Sequence, residues 1–118
     1  MEREIITISK DGVVTIPTTQ VWMTKFEIAD LFGVFAYDIR KAIRQIYRNR
    51  ELQEDETMKY IRQGEKLNCD VYSLEMVVAI AFKINSIQSK VFRRYLETKL
   101  YGMSNKIFII RYGSCPTA

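Results

Sequence analysis

The sequence of 118 residues contains no histidine and only two cysteines, Cys69 and Cys115. Without histidine and with so few thiols, a zinc site is nearly excluded. Two cysteines are also too few for the disulfide framework of a small secreted domain, which favours a reducing cytoplasm. The sequence offers no nucleophile paired with a base and no glycine-rich phosphate loop. It therefore predicts a protein that is not an enzyme and that binds no metal or cofactor.

Long apolar segments are also missing. The apolar run at residues 77–82 is far shorter than the roughly 20 residues that cross a bilayer as a helix. The N-terminal residues show no apolar segment long enough for a signal peptide. With 47% hydrophobic residues, a chain of this length is expected to form one globular domain. We assign this domain to residues 1–102, followed by a tail at 103–118 with a strand-like segment at 106–112.

Positive charge is concentrated in one part of the chain. The net charge is +4 and the pI is about 9.1, which favours a polyanionic partner. Residues 38–50 contain five bases against a single acid, Asp38. The bases are Arg40, Lys41, Arg44, Arg48 and Arg50. Residues 51–56 then contain four acids and no base, and we expect them to form an exposed loop.

The basic segment belongs to a predicted pair of helices. Thr24 followed by Glu27 is a capping-box pattern that starts the first helix, and Gly33 is expected to end it in the left-handed conformation. Residues at helical spacing predict the inner face of a second helix: Ile39, Ile43 and Ile46. Its outer face carries Ala36, Tyr37, Arg40, Lys41 and Arg44. Two short helices joined by a glycine turn, the second of them basic, are typical of a helix-turn-helix.

Alternatives remain at the start of the second helix. The same pattern fits a plain helical hairpin whose basic face is merely solvated. Asp38 either accepts a hydrogen bond from a cytosine amine or caps the helix start. Phe35 stands where Ser, Thr or Asn would make a better cap.

The flanking segments predict a small α+β domain. An N-terminal β-hairpin is expected from residues 4–9 and 13–17 around Asp11 and Gly12, with a short strand at 21–23. Trp22 in that strand is predicted to lie in the core. Residues 58–62 and 69–72 predict a second hairpin, which after a helix-turn-helix reads as the wing of a winged-helix domain. Three bases on this wing are expected to reach phosphate: Lys59, Arg62 and Lys66.

Two further helices complete the predicted domain. Ser73 is expected to cap an apolar helix at 74–85, and Ser86 a helix at 87–100 that Gly102 ends. Leu100 is among the residues expected to face inward from the last helix. Arg93 and Arg94 are expected either to extend the basic surface or to pair with the acids at 51–56. The fold class predicted is thus α+β, a winged helix-turn-helix-like domain with an N-terminal β-hairpin, a wing hairpin and two C-terminal helices.

Residues 21–100 resemble the N-terminal part of the RhuM family of bacterial virulence-associated proteins. The resemblance depends on the segments VWMTKFEIADLFGVFAYDIRKAIRQIYRNREL and DVYSLEMVVAIAFKINSIQSKVFRRYLETKL. The matching positions are Trp22, Thr24, Leu31, Phe32, Gly33, Val34, Ile39, Ile43, Tyr72, Leu74, Asn85, Ser86, Phe92 and Arg93. The resemblance implies a helix-turn-helix DNA-binding module with relatives encoded by phages and mobile elements, and no reaction. Members usually have a polar residue where Phe35 stands.

The predicted function is therefore binding of double-stranded DNA, as a transcriptional regulator of bacterial or mobile-element origin, and a homodimer is compatible with it. The predicted DNA contacts are Ala36, Tyr37, Arg40, Lys41, Arg44, Arg48, Arg50, Lys59, Arg62 and Lys66. The alternative is a protein–protein interaction module whose inherited helix-turn-helix no longer touches DNA. A nuclease using the carboxylates of Glu51, Glu54 or Asp55 is the remaining, least favoured alternative.

Overall fold

Five helices and five strands form an α+β arrangement in the part of the chain that the computed structural model describes, residues 4–63 and 67–103. The α+β class predicted from the sequence is confirmed. Lys66 and the predicted strand at 106–112 lie outside the described residues. In chain order the elements are β1 (Thr7–Ile8), β2 (Val14–Thr15), β3 (Trp22–Met23), α1 (Lys25–Phe32), α2 (Ala36–Arg48), α3 (Glu54–Thr57), β4 (Met58–Gln63), β5 (Leu67–Ser73), α4 (Leu74–Ala81) and α5 (Ile87–Met103).

The first two strands form the N-terminal β-hairpin that Asp11 and Gly12 predict. β1 and β2 are antiparallel, with Thr7 opposite Thr15. Gly12 has a φ of 83°, the left-handed conformation that glycine adopts without steric cost. Each strand has only two residues, fewer than predicted, in part because Pro17 has no N–H with which to extend the pairing.

β3, β5 and β4 form a separate antiparallel sheet in that order. The predicted second hairpin is confirmed as the pair β4–β5, with Met58 opposite Tyr72. The short predicted strand is also present, and Trp22 of β3 lies opposite Ser73 of β5. Trp22 is 8% exposed, which confirms its predicted place in the core.

The α1–α2 turn has the hydrogen bonds that its sequence predicts. The Thr24 hydroxyl accepts from the Glu27 amide at 3.1 Å, and the Glu27 carboxylate accepts from the Thr24 amide at 2.8 Å. Gly33 ends α1 with a φ of 66°, and the Val34 amide donates to the Ala29 carbonyl at 3.0 Å. These bonds satisfy backbone groups that a helix end leaves unpaired, so the angle between α1 and α2 is defined locally.

In the described part of the chain, the buried residues form one hydrophobic core between the helices and the larger sheet. The isoleucines predicted to face inward from α2 are buried: Ile39, Ile43 and Ile46. Buried residues of α4 pack in the same core: Met76, Val77, Ile80 and Ala81. The rings of Phe32 in α1 and Phe92 in α5 meet edge to face, with 5.6 Å between their centroids. This geometry contributes beyond the area that the rings bury.

The prediction that residues 51–56 form a loop is wrong for their second half, which belongs to α3. The Thr57 hydroxyl donates to the Gln53 carbonyl at 2.7 Å, and the Tyr47 hydroxyl lies 2.8 Å from the same Thr57 oxygen. Burial raises the pKa of Tyr47 above its ordinary value. This contact with α2 holds a helical turn that the charge pattern alone did not indicate. The acidic side chains are exposed, as expected.

The ends of α4 and α5 differ from the predicted ones. α4 ends at Ala81 rather than at residue 85, and α5 continues to Met103, past Gly102. Leu100, which was predicted to face inward, is 55% exposed. The reason is that the last turns of α5, at residues 97–101, are exposed all round.

Arg93 neither extends a basic surface nor pairs with the acidic stretch. Its guanidinium Nη1 donates to the Ala81 carbonyl at 2.6 Å, to the Ile84 carbonyl at 3.2 Å and to the Ser89 hydroxyl at 3.4 Å. A charged donor at the carboxyl end of a helix satisfies unpaired carbonyls and suits the helix dipole. Arg93 therefore joins the end of α4 to α5.

The two predicted serine caps differ from each other. Ser86 and Ser89 cap α5 reciprocally: the Ser89 hydroxyl accepts from the Ser86 amide at 2.9 Å, and the Ser86 hydroxyl accepts from the Ser89 amide at 3.0 Å. Ser73 occupies the cap position of α4, but its side chain makes no cap hydrogen bond. Its Oγ is buried and has no partner among the described residues. The Ser86 cap is thus confirmed and the Ser73 cap bond is absent.

We expect Gly33→Ala to lower the free energy of unfolding by about 1–2 kcal/mol, because an added Cβ is strained in the left-handed conformation. The added Cβ would also come within 2.7 Å of the Gln88 amide nitrogen. Gly12→Ala is the matched control: Gly12 also has a left-handed φ, 83°, but the nearest atom to an added Cβ lies 4.0 Å away. It therefore shows the backbone strain without the close contact. Denaturant unfolding measures both variants; equal stability of Gly33→Ala and wild type would contradict the prediction.

We expect Arg93→Ala to destabilise the protein by about 1–3 kcal/mol, because it leaves carbonyls at the end of α4 without their charged donor. Arg94→Ala removes the same charge from the exposed neighbouring position and should change stability by no more than about 0.5 kcal/mol. Chemical denaturation of both variants makes the comparison. Equal effects would mean that the three hydrogen bonds of Arg93 contribute nothing net.

Candidate nucleic-acid interface

The burial of one side of α2 determines which side chains its other side presents. Each helical residue is rotated by about 100° from the last, so the core isoleucines place the basic positions outward. Three cations on α2 are exposed, as predicted: Arg40, Lys41 and Arg44. Together with Tyr37, which is 61% exposed, they form a surface that we call the α2 basic face.

Tyr37 lies between the cations at the amino end of this face. The Arg40 guanidinium carbon is 5.9 Å from the centre of the Tyr37 ring, and the Lys41 Nζ is 5.8 Å from it. Positions three and four residues apart on a helix are neighbours, and the ring attracts both positive charges. The α2 basic face is therefore a contiguous group of side chains rather than separate charges. Ala36, also predicted to lie on this face, is half-buried and packs against the core.

The start of α2 combines an exposed aromatic residue with a capping acid. Phe35 is 81% exposed and occupies the cap position with φ −80° and ψ 150°. The Phe35 amide donates to Asp38 Oδ2 at 3.3 Å. Of the two alternatives for Asp38, the capping interaction is thus present in the structure. An acid in the first turn also suits the helix dipole.

The cations of α2 are not neutralised by the acids that follow them. In residues 4–63 and 67–103, no acidic side chain forms an ion pair with Arg40, Lys41 or Arg44. Glu51 instead pairs with Lys83, with 2.8 Å between Oε2 and Nζ. The Lys83 hydrogen bond is the main cause that lowers the pKa of the Glu51 carboxyl below its usual value. The positive charge of the α2 basic face therefore remains available to an anion.

Lys83 was not among the predicted site residues. Sequence periodicity placed it inside an apolar helix, whereas α4 ends two residues earlier and the following turn brings Lys83 beside α2. A shallow cavity of about 350 Å³ lies there, between α2 and the α4–α5 turn. Its polar lining residues are Asp38, Lys41, Gln45, Lys83 and Asn85. The sequence signal for this position is a lysine in an otherwise apolar helical segment, a charge that indicates an exposed place at or beyond the helix end.

Arg48 and Arg50 lie at the carboxyl end of α2, and Arg50 is strained. Both side chains are exposed. Arg50 has a φ of 57°, a conformation that is uncommon for residues other than glycine. The Glu51 amide donates to the Ile46 carbonyl at 3.0 Å, the bond that a left-handed residue after a helix makes possible. An arginine therefore holds a backbone position that glycine would fill with less strain.

Of the three predicted wing contacts, Lys59 and Arg62 lie in the described part of the chain. The Lys59 ammonium lies 4.4 Å from the centre of the Trp22 ring. Lys59 and Arg62 are three residues apart on β4, so their side chains leave opposite faces of the sheet. Both are exposed. The structure therefore assembles the α2 cations into one surface and leaves these two separate.

The acids at 51–56 belong to no metal-binding cluster in the described part of the chain. Among the described residues there is no group of three or more cysteine or acidic side chains arranged to hold a metal ion. None of the helices in that part of the chain has the length and apolar content that crossing a lipid bilayer requires.

Comparison of the sequence with protein-family models gives no match, and searches of curated proteins and of solved structures give none either. The function is therefore inferred from the chain's own residues.

We expect Arg50→Gly to raise the free energy of unfolding by about 1 kcal/mol, because glycine adopts the left-handed conformation without a Cβ clash. Arg48→Gly is the matched control: it removes the same side chain from the last helical turn. There glycine should destabilise by about 0.5–1 kcal/mol. Thermal and urea unfolding measure both; a loss of stability in Arg50→Gly would contradict the backbone argument.

Proposed function

We propose that this protein binds double-stranded DNA through the α2 basic face and that it acts as a transcriptional regulator rather than as an enzyme. The observation that carries the proposal is the exposed, unneutralised group of Arg40, Lys41 and Arg44 on a helix whose opposite side is anchored in the core. An α-helix fits the major groove of B-form DNA. Cations along such a helix reach phosphate oxygens and the edges of guanine.

The rigid placement of α2 supports this proposal. A recognition helix contacts base edges mainly through its amino-terminal residues while the preceding helix crosses the DNA backbone. Here the amino end of α2 is held by the Gly33 turn and the Asp38 cap. Tyr37 and Arg40 project from the first two turns, with Arg48 and Arg50 further along as phosphate contacts. Ordered side chains lose less conformational entropy on binding.

We interpret α1, α2 and the β4–β5 pair as a winged helix-turn-helix, with Lys59, Arg62 and Lys66 as weaker phosphate contacts. The resemblance to the RhuM family agrees with this interpretation. A cytoplasmic location follows from a DNA partner, and a homodimer would match a palindromic site.

A protein–protein interaction module is the second candidate. The observation that favours it is the exposure of Phe35 and Tyr37, 81% and 61%, at the start of α2. Exposed aromatic residues are enriched in protein interfaces. The adjacent Lys41 is less suited to such an interface, because lysine is depleted there.

We expect Arg40→Ala/Arg44→Ala to weaken binding to a labelled random-sequence duplex and to flatten its salt dependence. Each lost phosphate contact reduces the slope of log K against log salt by about one, so the double variant should lose about two. Fluorescence anisotropy between about 50 and 200 mM salt measures this slope. Lys10→Ala/Lys90→Ala is the matched control, because it removes two exposed charges elsewhere.

Unchanged affinity and slope in Arg40→Ala/Arg44→Ala would overturn the assignment of the α2 basic face. Equal losses in both double variants would mean that only net charge matters. If the wild-type protein bound no duplex at the lowest salt, the interaction module would become the leading function. Light scattering would then be used to test for self-association.

A further inference from the structure

Phe35 is unfavourable for the fold in two separate respects. It occupies the cap position of α2, where a short polar side chain would accept a hydrogen bond from the helix, and its own side chain makes none. It is also 81% exposed, the most exposed large apolar residue in the described part of the chain. A residue whose type suits neither its cap position nor its exposure to solvent is a candidate for a functional role.

The position of Phe35 suggests what it contacts. It immediately precedes the first turn of α2, at the end of the helix that the proposed function places at the base edges. A phenylalanine side chain has no hydrogen-bond donor or acceptor, so it cannot read the polar groups of a base pair. The apolar feature of the major groove is the C5-methyl group of thymine. 5-Methylcytosine carries a methyl group at the same ring position.

We infer that Phe35 is a specificity-determining residue whose ring contacts the C5-methyl group of a pyrimidine in the target DNA. This inference depends on the proposed function and specifies its target: a site with a C5-methylated pyrimidine opposite the amino end of α2. Tyr37 follows two positions later in the first turn of α2, and the cations of Arg40 and Lys41, which lie near its ring, supply the positive charge that binds the DNA backbone. Phe35 adds discrimination between bases, which phosphate contacts do not provide.

Stacking on single-stranded bases fits the structure less well. Surfaces for single strands stack successive bases on several aromatic rings. The neighbouring ring is that of Tyr37, and the cations of Arg40 and Lys41 lie within 6 Å of its centre, at 5.9 and 5.8 Å. Among the described residues no cation lies over the Phe35 ring, which leaves its face available for one methyl contact.

The test begins with selection of duplex sites by the wild-type protein from a random pool. Each thymine of the selected site is then replaced by uracil, which removes only the methyl group. We expect one or two replacements to weaken wild-type binding by about fourfold, the effect of one buried methyl group. In Phe35→Ala, affinity for the thymine site should fall by a similar factor and the thymine–uracil difference should disappear.

Further duplexes identify the source of the methyl group, and further protein variants control for exposed aromatic surface. Cytosine and 5-methylcytosine at the sensitive position, paired with guanine, show whether the contact extends beyond thymine. Phe26→Ala removes a phenylalanine that is 62% exposed on α1, and it should retain the full thymine–uracil difference. Phe35→Ser is expected to melt a few degrees higher than wild type, because serine completes the capping box with Asp38. It should nevertheless lose the discrimination.

Three results would overturn the inference while leaving the proposed function intact. One is duplex binding that no thymine-to-uracil or 5-methylcytosine replacement changes. Another is an equal thymine–uracil difference in wild type and Phe35→Ala. The third is a loss of affinity in Phe35→Ala that is confined to single-stranded DNA, which would assign the ring to stacking. Absence of duplex binding by the wild type would remove the proposed function and this inference together.

Discussion

Burial of the isoleucine stripe of α2 is the constraint on which the candidate site depends. Ile39, Ile43 and Ile46 have almost no solvent exposure, and each contributes about 1.5–3 kcal/mol of hydrophobic stabilisation. Rotating α2 about its axis would expose them, so the helix has one favourable orientation. That orientation places Arg40 and Arg44 in solvent. Burial of the isoleucines therefore fixes the side of α2 on which the basic side chains lie.

The two ends of α2 show how local backbone geometry supports this orientation. At the amino end, Gly33 reverses the chain in a conformation that suits it, and Asp38 satisfies an amide at the start of the helix. At the carboxyl end, Arg50 adopts a similar left-handed conformation with a side chain that does not favour it. Phe35 is likewise poorly suited to its cap position. Gly33 and Asp38 thus suit their backbone positions, whereas Arg50 and Phe35, on the proposed DNA-binding surface, do not. Residues that oppose local conformational preferences are expected at functional sites.

Patterns within a few residues predicted most of the helices and strands. Capping boxes, left-handed glycines and helical spacing depend on neighbours in the chain, so the α1–α2 pair and the β4–β5 pair were found from the sequence. Features that depend on distant contacts were missed. Arg93 was expected on a surface but hydrogen-bonds to the carbonyl of Ala81, because α4 ends early and α5 packs beside it. α3 forms where the Tyr47 and Thr57 hydroxyls meet, a contact between residues ten positions apart.

The sequence by itself determined which residues of α2 face inward and which carry its charge, because hydrophobic periodicity and charge can both be read within one helix. Tertiary structure alone decided which charged side chains form ion pairs and which do not. Lys83 and Glu51 neutralise each other across 32 positions of sequence, and the Lys59 ammonium lies over the Trp22 ring. The α2 cations form no ion pair with any described acid. The physical reason is that an electrostatic interaction depends on distance in space, and a sequence records only distance along the chain.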